Sequence, residues 1–569
     1  MAVDAKIVQA SEDCLQLQFN QKICPEVNSQ ISAFVKSFEC IVKDIPGVLE
    51  IVPTYCSVSI YFDEKVCEAS LLKRRAQEVI KELAAAEVST ADSEKIVTIP
   101  VCYEDQEFAP DLEKVALHAK LSKEEVIKLH SSSDYLIYMM GFLPGFPYLG
   151  GMDQRLETPR LETPRTKIPA GSVAIGGAQT GLYPVESPGG WNIIGRTPLK
   201  LFDVNRKPFF LYEAGDKIRF KPISREEFDN FDESKWLKQV GRESGESYVS
   251  DKTSRDAAES EKVYECGGGI KILEQGLLTT VQDSGITGFQ KYGIGQSGAM
   301  DQISFALANE LCGNEKNAAC LETTLAGPSI RFVTACDFAI TGAVFENATL
   351  DGVQIEMNKK ISAKAGSLLS CGFASKGLRS YIAFCGGLLV PEIFGSSSTN
   401  LKSKIGGYMG RKLLPGDELA IGVNQSKAKS AGNNGFSKGF IQSSFLNPYF
   451  SKNKDVLVLD CIKSSQFNNF QKKIVKKFTD SIYTVSAESD RMGIRFTGHS
   501  LECGTTDIIS DAIPFGAVQI TSAGLPVVMA ADRQTTGGYA KIACVTKASM
   551  CLLAQATPGT KVRFNLLPF

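Results

Sequence analysis

The sequence predicts a chain of α+β and mainly β structure, in which a mixed α/β segment is followed by β-rich domains. Residues 13–103 alternate between β-type and helical patterns, whereas short β-type runs between glycines and prolines dominate beyond residue 135. The chain has 569 residues, and a single hydrophobic core stops growing at about 250–300 residues, so at least two domains are required. Its 50 glycines are not in low-complexity runs, which is typical of folds with many tight turns.

Residues 1–103 form the first predicted subdomain. A strand over Leu15–Phe19 is followed by a helix that begins at Pro25, two strands with the sequences VLEIVP and SVSIYF, and a second helix over 69–86. A fourth strand is expected over 96–103. The order β-α-β-β-α-β is typical of a ferredoxin-like fold, which we therefore expect here.

Residues 104–237 form the second predicted domain. Two short helices come first, and Ser122 with Glu125 fits a capping box for the second of them. Gly, Pro and short β-type runs then continue to about Pro222, which predicts a small barrel or sandwich.

A polar segment, residues 238–266, separates this domain from the rest of the chain. It is almost free of large aliphatic residues and cannot bury enough apolar surface to fold alone, so we expect a flexible linker. Residues 267–569 are again β-rich and contain a second polar insert at 424–439.

Internal echoes suggest that strands recur in similar barrels. EAGDKIRF (213–220), LPGDELAIG (414–422) and TPGTKVRF (557–564) each place Gly and a polar residue before an alternating strand. PAGSVAIGG (169–177) similarly pairs with PFGAVQITS (514–522). Either these are related strands or turn–strand motifs have recurred by chance.

Composition excludes several classes of function. With 62 Lys and Arg against 64 Asp and Glu, the net charge is -2, which gives no long-range field to gather nucleic acid or anionic membrane. No apolar run approaches the ~18 residues of a membrane span and no signal core is visible, so we expect a cytoplasmic protein. The 16 cysteines include no C-x-x-C pair and the three histidines are scattered, so we expect reduced thiols and no metal site.

One standard motif is present in the wrong context. GIGQSG (293–298) matches G-x-G-x-x-G, but no buried strand runs into its glycines, so a dinucleotide site is disfavoured. The glycines either offer free N–H groups to an anion at a helix N-terminus or simply make a tight turn.

Two segments concentrate charged residues among glycines. Residues 163–198 hold Arg165, Glu186 and Arg196, and in 531–541 Asp532 and Arg533 directly follow the apolar run LPVVMA. Such groups are costly to bury unless they pair or bind a polar ligand, and they sit where a barrel mouth is expected. The alternative is a structural Asp–Arg pair.

These segments carry a family resemblance. GFLPGFPYLGG, TPRTKIPAGSVAIGG and YPVESPGGWNIIGRTP resemble the B subunit of 5-oxoprolinase, also called allophanate hydrolase subunit one or the sporulation-kinase inhibitor. VQDSGITGFQKYGIGQSGAMD, IGGYMGRKLLPGDEL, ESDRMGIRFTG and ADRQTTGGYAKIACV resemble the C subunit, the antagonist of that inhibitor. The resemblance is B-like to about Trp236 and C-like from about Gly267, as in a gene fusion.

The resemblance implies cyclophilin-like β-barrels in both halves and a complex with a third subunit of the lactam-utilisation family, the A subunit of 5-oxoprolinase. The implied reaction is the ATP-dependent opening of 5-oxo-L-proline to L-glutamate, with Mg²⁺ accompanying ATP and no biotin. We expect no turnover without this partner. No contact with nucleic acid or membrane is expected, and a homo-oligomer is left open.

Residues that match the family's motifs are candidates for the site. The candidate catalytic carboxylates are Glu186, Asp301 and Asp532. The candidate substrate- or phosphate-binding residues are Arg165, Arg196, Arg411, Arg533, Gln534, Ser297, Tyr539, His130 and Tyr148. Phosphate needs cationic partners, for which we expect Arg196, Arg411 and Arg533, and an attacking water needs a carboxylate.

Two other functions stay open. The same paired domains resemble the carboxyltransferase region of urea carboxylase, which acts on urea with biotin carried on another domain. The third reading is non-enzymatic, a histidine-kinase inhibitor fused to its antagonist, but a permanent tether between the two makes little regulatory sense.

Overall fold

A computed structural model describes residues 5–85, 95–141, 143–240, 266–423, 456–504 and 506–568. Apart from residues 238–240 and 266, the predicted linker lies outside these ranges, and so does the whole insert 424–439. No helix in the described ranges is long and apolar enough to cross a membrane.

The N-terminal layer is a four-stranded antiparallel sheet with the order β1-β2-β4-β3. Its elements are β1 (Lys6–Ser11), β2 (Cys14–Gln18), α1 (Pro25–Val42), β3 (Val48–Pro53), β4 (Ser57–Phe62) and α2 (Ala69–Ala85). Helix α1 buries Phe34 and Phe38 in one core with Val58 and Ile60 of β4. The layer thus holds together by an apolar helix face on a sheet.

The ferredoxin-like order is not confirmed. The predicted fourth strand exists as β5 (Ile96–Cys102), but it lies in a barrel, where it pairs in parallel with residues 217–223. Strand β1, which the sequence pattern did not reveal, takes the free edge of the N-terminal sheet beside β2. Local patterning identifies a strand, whereas its partner is decided by long-range pairing.

The first barrel is closed by seven strands in the order β10-β7-β6-β13-β5-β12-β9. After β5 the chain runs through α3 (Asp105–Phe108), α4 (Leu112–Ala119), α5 (Lys123–Ser131), β6 (Asp134–Met140), β7 (Pro147–Gly150), β8 (Arg165–Ile168), β9 (Ser172–Gly176), β10 (Gln179–Leu182), β11 (Ser187–Gly189), β12 (Asn192–Arg196), β13 (Lys217–Ile223), α6 (Arg225–Asp229) and α7 (Glu233–Gln239). Strands β8 and β11 form a separate two-stranded ribbon. In β13, Ile218 and Phe220 are buried while Arg219 and Lys221 are exposed, as the alternating sequence predicts.

Residues 266–422 form two open sheets rather than a closed barrel. One has the order β20-β19-β22-β17-β14-β25-β24 and the other β15-β16-β23-β18-β21. The elements are β14 (Cys266–Glu274), β15 (Leu278–Gln282), α8 (Gln302–Cys312), β16 (Cys320–Thr324), β17 (Ser329–Phe332), β18 (Cys336–Val344), β19 (Thr349–Leu350), β20 (Val353–Gln354), β21 (Lys360–Ala363), β22 (Leu368–Ser370), β23 (Lys376–Phe384), β24 (Leu388–Leu389) and β25 (Glu418–Gly422). One of the repeated turn–strand segments, LPGDELAIG (414–422), lies in these sheets and contains β25.

The second barrel is closed in the order β26-β33-β30-β31-β28-β27-β34. Its elements are β26 (Leu457–Lys463), α9 (Lys472–Asp480), β27 (Tyr483–Val485), β28 (Gly493–Thr497), β29 (Asp507–Ala512), β30 (Ala517–Ile520), β31 (Pro526–Met529), β32 (Thr536–Tyr539), β33 (Lys541–Val545), α10 (Lys547–Ala554) and β34 (Lys561–Leu566). Strands β29 and β32 form a ribbon like that of the first barrel. The two closed barrels fit the cyclophilin-like barrels expected from the resemblance.

Taken in chain order, the two barrels connect their strands in the same way. The first strand pairs in parallel with the last in each, as β5 with β13 and β26 with β34. The echoes PAGSVAIGG and PFGAVQITS lead into the equivalent strands β9 and β30, and EAGDKIRF and TPGTKVRF into β13 and β34. For these two pairs, the prediction of related strands is confirmed.

The two halves pack against each other along an interface, which we call the seam. Gln16 Nε2 donates to Asp511 Oδ2 at 3.2 Å, and Gly145 N donates to the Tyr292 carbonyl at 2.8 Å. Ile286 and Ile294 of the C-terminal half belong to the same apolar core as the first barrel. The seam is therefore a continuous packed interface.

Candidate functional site

A cavity of about 700 Å³ lies at the mouth of the first barrel. Its lining residues come from the loop before β9, the loop between β10 and β11, the end of β12 with the chain that follows, and the helices α3 and α6. They combine charged groups with apolar rings and include Glu107, Phe108, Glu186, Arg196, Lys200, Phe202, Arg225, Phe228, Asp229 and Phe231. Such a mixture suits a small ligand with both a charged and an apolar part.

Arg196 and Glu186, two of the residues predicted from sequence, line this same cavity. Arg196 is the last residue of β12, where its Nε donates to the Ala170 carbonyl at 3.2 Å. Its guanidinium carbon lies 5.8 Å from the centre of the Phe108 ring. Within the described ranges no carboxylate forms an ion pair with Arg196, so its charge is available to a ligand.

Glu186 is exposed at the rim. Its carboxylate lies 2.9 Å from Lys167 Nζ, and the two side chains are 50% and 68% exposed. A pair this exposed contributes little to stability, so Glu186 can exchange this partner for a ligand or a water at low cost.

Arg225, on the far wall of the cavity, is already neutralised. Its side chain donates to Asp229 and Glu107, at 2.9 Å each, and lies 4.4 Å from the centre of the Phe108 ring. Arg225 therefore shapes the wall and holds Phe108 in place. Sequence patterns contain no signal for Arg225 or Phe108, because both reach the cavity only through the packing of α3 and α6.

Asp532 lies in a buried charge cluster of the second barrel. Its carboxylate receives two hydrogen bonds from Arg491, at 2.9 and 3.0 Å, and Arg491 also donates to Glu322. Burial opposes the charge of Arg491, but the carboxylates of Asp532 and Glu322 outweigh it and raise its pKa. Asp532 thus serves as a structural counter-ion, and sequence reasoning missed Glu322, which lies on an ordinary-looking strand.

Ser297 and Arg533 lie beside this cluster at the seam. Ser297 N donates to the Ala531 carbonyl at 3.0 Å, and Ser297 Oγ accepts from Asn400 Nδ2 at 2.9 Å. Arg533 is 2% exposed, and its Nε donates to the Ile513 carbonyl at 2.8 Å. The structure thus brings Ser297, Asp532 and Arg533 together, away from the cavity of Arg196 and Glu186.

The other candidate charges are bound elsewhere. Arg165 makes two hydrogen bonds of 2.8 Å to Asp111, and Arg411 makes bonds of 2.7 and 2.9 Å to Asp417. Asp301 caps helix α8 by accepting Ser304 N at 3.0 Å. Arg196, Arg411 and Arg533 consequently lie in three different places and do not surround one phosphate.

His130 lies in the core of the first barrel. Its ring nitrogens are 2.8 Å from the Tyr103 hydroxyl and 2.8 Å from Thr180 Oγ1, and its ring stacks on Phe220 at 4.5 Å. Burial lowers the pKa of His130 to about 3, so the ring stays neutral near pH 7. The structure gives it a packing role.

Of the last three candidates, Tyr148 lies on barrel strand β7, and Gln534 and Tyr539 lie before and at the end of β32 in the second ribbon. The ring of Tyr148 packs 5.1 Å from Phe146 and 5.6 Å from Tyr55, and burial raises its pKa to about 12. Gln534 is partly buried in the loop before β32, and Tyr539 ends that strand with 37% of its surface exposed.

Comparison with known proteins identifies both halves. Residues 5–212 match the carboxyltransferase domain family, subdomains C and D, and residues 292–566 match its subdomains A and B. The N-terminal half is 39% identical over 243 residues to the B subunit of 5-oxoprolinase from Bacillus subtilis, covering 41% of this chain and 99% of that protein. The C-terminal half is 37% identical over 297 residues to the C subunit of 5-oxoprolinase from Escherichia coli, covering 52% of this chain and 90% of that protein.

Two further likenesses extend the comparison. The chain is 32% identical over 315 residues to the urea amidolyase of Saccharomyces cerevisiae, covering 53% of this chain but 17% of that enzyme. A crystal structure of the protein TTHA0988 superposes with a TM-score of 0.76 at 28% identity, covering 97% of this chain and 99% of the other. The chain therefore belongs to the carboxyltransferase-domain family that includes the B and C subunits of 5-oxoprolinase, with the B-like half first and the C-like half second.

Proposed function

We propose that this chain is the fused B and C component of an ATP-dependent 5-oxoprolinase, which opens 5-oxo-L-proline to L-glutamate together with a separate lactam-utilisation protein. One observation carries the proposal. The chain spans 99% of a relative named as the B subunit of 5-oxoprolinase and 90% of one named as the C subunit. The packed seam between the halves supports a single working unit.

The reaction must overcome the resonance of the lactam amide. Phosphorylation of the amide oxygen by ATP makes the ring carbon electrophilic. Water then adds to that carbon, the carbon–nitrogen bond breaks, and a second water releases phosphate. One ATP and two waters thus give glutamate, ADP and phosphate.

The cavity of the first barrel offers groups for these steps. Arg196 carries a charge that no described carboxylate neutralises, and its planar guanidinium suits the paired oxygens of a phosphate or carboxylate. Glu186 lies on the same cavity wall and can accept a proton from water. The phenylalanine rings are suited to the apolar face of a five-membered ring. In this proposal Arg196 binds the anion and Glu186 is the base.

The test is glutamate formation from 5-oxoproline by the purified chain with the lactam-utilisation protein, ATP and Mg²⁺. We expect glutamate in the complete mixture and none when the partner or ATP is left out. Turnover by the chain alone contradicts the need for a partner, and no turnover in the complete mixture contradicts the proposal.

A carboxyltransferase role on urea is the second candidate, because 53% of the chain is similar to a protein named urea amidolyase. It predicts ATP consumption that depends on urea, bicarbonate and a biotinylated carrier. Activity under those conditions, with no glutamate formed from 5-oxoproline, favours this candidate over the first.

A further inference from the structure

Two cysteines of the C-terminal half lie side by side in its core. Cys312 is the last residue of α8, and Cys385 directly follows β23. Both belong to one small apolar cluster, and both thiols are reduced in the structure. Cys312 Sγ donates to the Ala383 carbonyl at 3.3 Å, so its side chain reaches the end of β23. Folding thus makes neighbours of two thiols that are distant in sequence.

The backbone on either side of Cys385 is fastened to the end of α8. Asn314, two residues after Cys312, donates from Nδ2 to the Phe384 carbonyl at 2.8 Å. Its Oδ1 accepts the N–H of Gly386 at 2.9 Å. These two bonds flank Cys385 and hold the segment that carries it against the segment that follows Cys312. A disulfide requires two backbones that approach closely in a fixed geometry.

The surroundings make Cys385 the more reactive of the two thiols. Interaction with the Cys312 thiol lowers the pKa of Cys385, and the charge of Lys360 on β21 also lowers it, against the effect of burial. The same interaction, together with burial, raises the pKa of Cys312. Because the thiolate is the nucleophile, Cys385 should react first with an oxidant and Cys312 second. Only 5% of Cys385 is exposed, so we expect a small oxidant to be needed.

A third cysteine lies near the pair but is a less suitable partner. Cys336 begins β18, and its Sγ donates to the Asp337 carbonyl at 3.1 Å. The same carbonyl accepts the Cys385 N–H at 2.8 Å. Burial raises the pKa of Cys336 to about 12, so its thiol stays protonated near pH 7. We therefore expect Cys385 to pair with Cys312.

We propose that Cys312 and Cys385 form a reversible disulfide within the folded chain when it meets hydrogen peroxide. The Cys385 thiolate attacks one peroxide oxygen, the O–O bond breaks, and the other oxygen leaves as water with the proton that Cys385 gave up. Cys385 is then a sulfenic acid. The Cys312 sulfur attacks the Cys385 sulfur, the S–S bond forms, and hydroxide leaves as a second water with the Cys312 proton.

The balance is two thiols oxidised to one disulfide and one peroxide reduced to two waters. The product ties the C-terminal end of α8 to β23. This oxidation site goes beyond the proposed function, which uses neither thiol.

The experiment uses the full chain, which is first reduced, freed of reductant and treated with hydrogen peroxide. The remaining thiols are blocked with an alkylating reagent, and the chain is digested without reductant for mass spectrometry. We expect a pair of peptides joined through Cys312 and Cys385 that dithiothreitol separates. Cys40, which is exposed, is the internal control that the oxidant has reacted.

Three variants test the order of the steps. In Cys312→Ser, Cys385 should stop at the sulfenic acid, which dimedone traps. In Cys385→Ser, Cys312 should stay reduced. Cys320→Ala is the matched control, because Cys320 lies in the same apolar cluster and burial raises its pKa. This variant should form the Cys312–Cys385 disulfide as the parent does.

Three outcomes overturn the proposal. In the first, Cys40 is oxidised while Cys312 and Cys385 both stay reduced. In the second, Cys385 is joined to Cys336 in place of Cys312. In the third, the Cys312–Cys385 disulfide forms only in chain unfolded by urea. All three are read from the parent chain, so they do not depend on the folding of any variant.

Discussion

The two barrels share one strand order but differ at one position of their aromatic cores. In the second barrel Phe478 stacks on Phe564 at 4.6 Å and 20°. In the first barrel His130 stacks on Phe220 at 4.5 Å and 19°. A tyrosine follows five residues later in both, Tyr483 and Tyr135. The match shows that His130 fills a position for an aromatic ring, which explains its burial better than ligand binding does.

The barrel mouths differ more strongly. The loop between β10 and β11 of the first barrel carries Glu186 and borders an open cavity of about 700 Å³. The equivalent loop of the second barrel, between β31 and β32, carries Asp532 and Arg533, which are 4% and 2% exposed. Ser297 covers it through a hydrogen bond to the Ala531 carbonyl. The same scaffold thus gives one mouth open to ligands and one that is part of the seam.

The largest effect is expected from removing Arg491, the buried cation that pairs with Asp532 at the mouth of the second barrel. Arg491→Met leaves Asp532 and Glu322 buried without their cation, which should lower the free energy of unfolding by about 3–5 kcal/mol. Chemical denaturation measures this loss. The double variant Arg491→Met with Asp532→Asn should recover part of it. A single variant as stable as the parent contradicts the structural role of the pair.

Removing the charge of Arg196, which lines the first-barrel cavity, should affect the reaction rate rather than the stability of the fold. If Arg196 contacts charge that develops in the transition state, Arg196→Met should lower kcat/KM by about 10²–10³, or about 3–4 kcal/mol. The melting temperature should stay near that of the parent. Arg196→Lys should recover part of the rate. Full activity in Arg196→Met contradicts the assignment of the cavity as the reaction site.

Because His130 is buried in the core of the first barrel, we expect the stability of the chain to depend on pH. The pKa of His130 in the folded chain is about 3, below its ordinary value of about 6.5, so the unfolded chain takes up the proton first. The stabilising effect of a neutral His130 is fully present above about pH 6.5 and is lost as the pH falls. Between pH 7 and pH 5 this amounts to about 2 kcal/mol.

His130→Phe, which copies Phe478 of the second barrel, is the variant that checks this dependence. Its free energy of unfolding should fall less between pH 7 and pH 5 than that of the parent, by about 2 kcal/mol. The variant also leaves the Tyr103 hydroxyl without its partner, so the comparison uses the change with pH and not the absolute stability. Equal pH dependence in the two proteins contradicts the buried neutral state.

The smallest effect on stability is expected for Lys167, which pairs with Glu186 at the rim of the first-barrel cavity. Lys167→Met removes the exposed partner of Glu186 and should change the free energy of unfolding by less than about 1 kcal/mol. Thermal melting of the variant beside the parent measures it. A clearly larger loss contradicts the view that Glu186 is free to exchange its partner.

The sequence alone predicted β2 to β5 and the alternating faces of strands such as β13, because alternation of apolar and polar residues is a local property, but it did not reveal β1. The similar segments KIRF (217–220) and KVRF (561–564) lie on the equivalent barrel strands β13 and β34. The family resemblance identified both halves. Only the tertiary structure decided that β5 joins a barrel rather than the N-terminal sheet.

Tertiary structure also decided which candidate charges are neutralised. Arg491 meets Asp532 41 residues away, and Arg533 meets Gln290 243 residues away. Arg196 and Arg533 both occur in segments that combine glycines with charged residues. The side chain of Arg196 lines a cavity, whereas that of Arg533 is buried at the seam. Their different surroundings depend on segments distant in sequence, and a local pattern contains no information about which distant groups will pack against it.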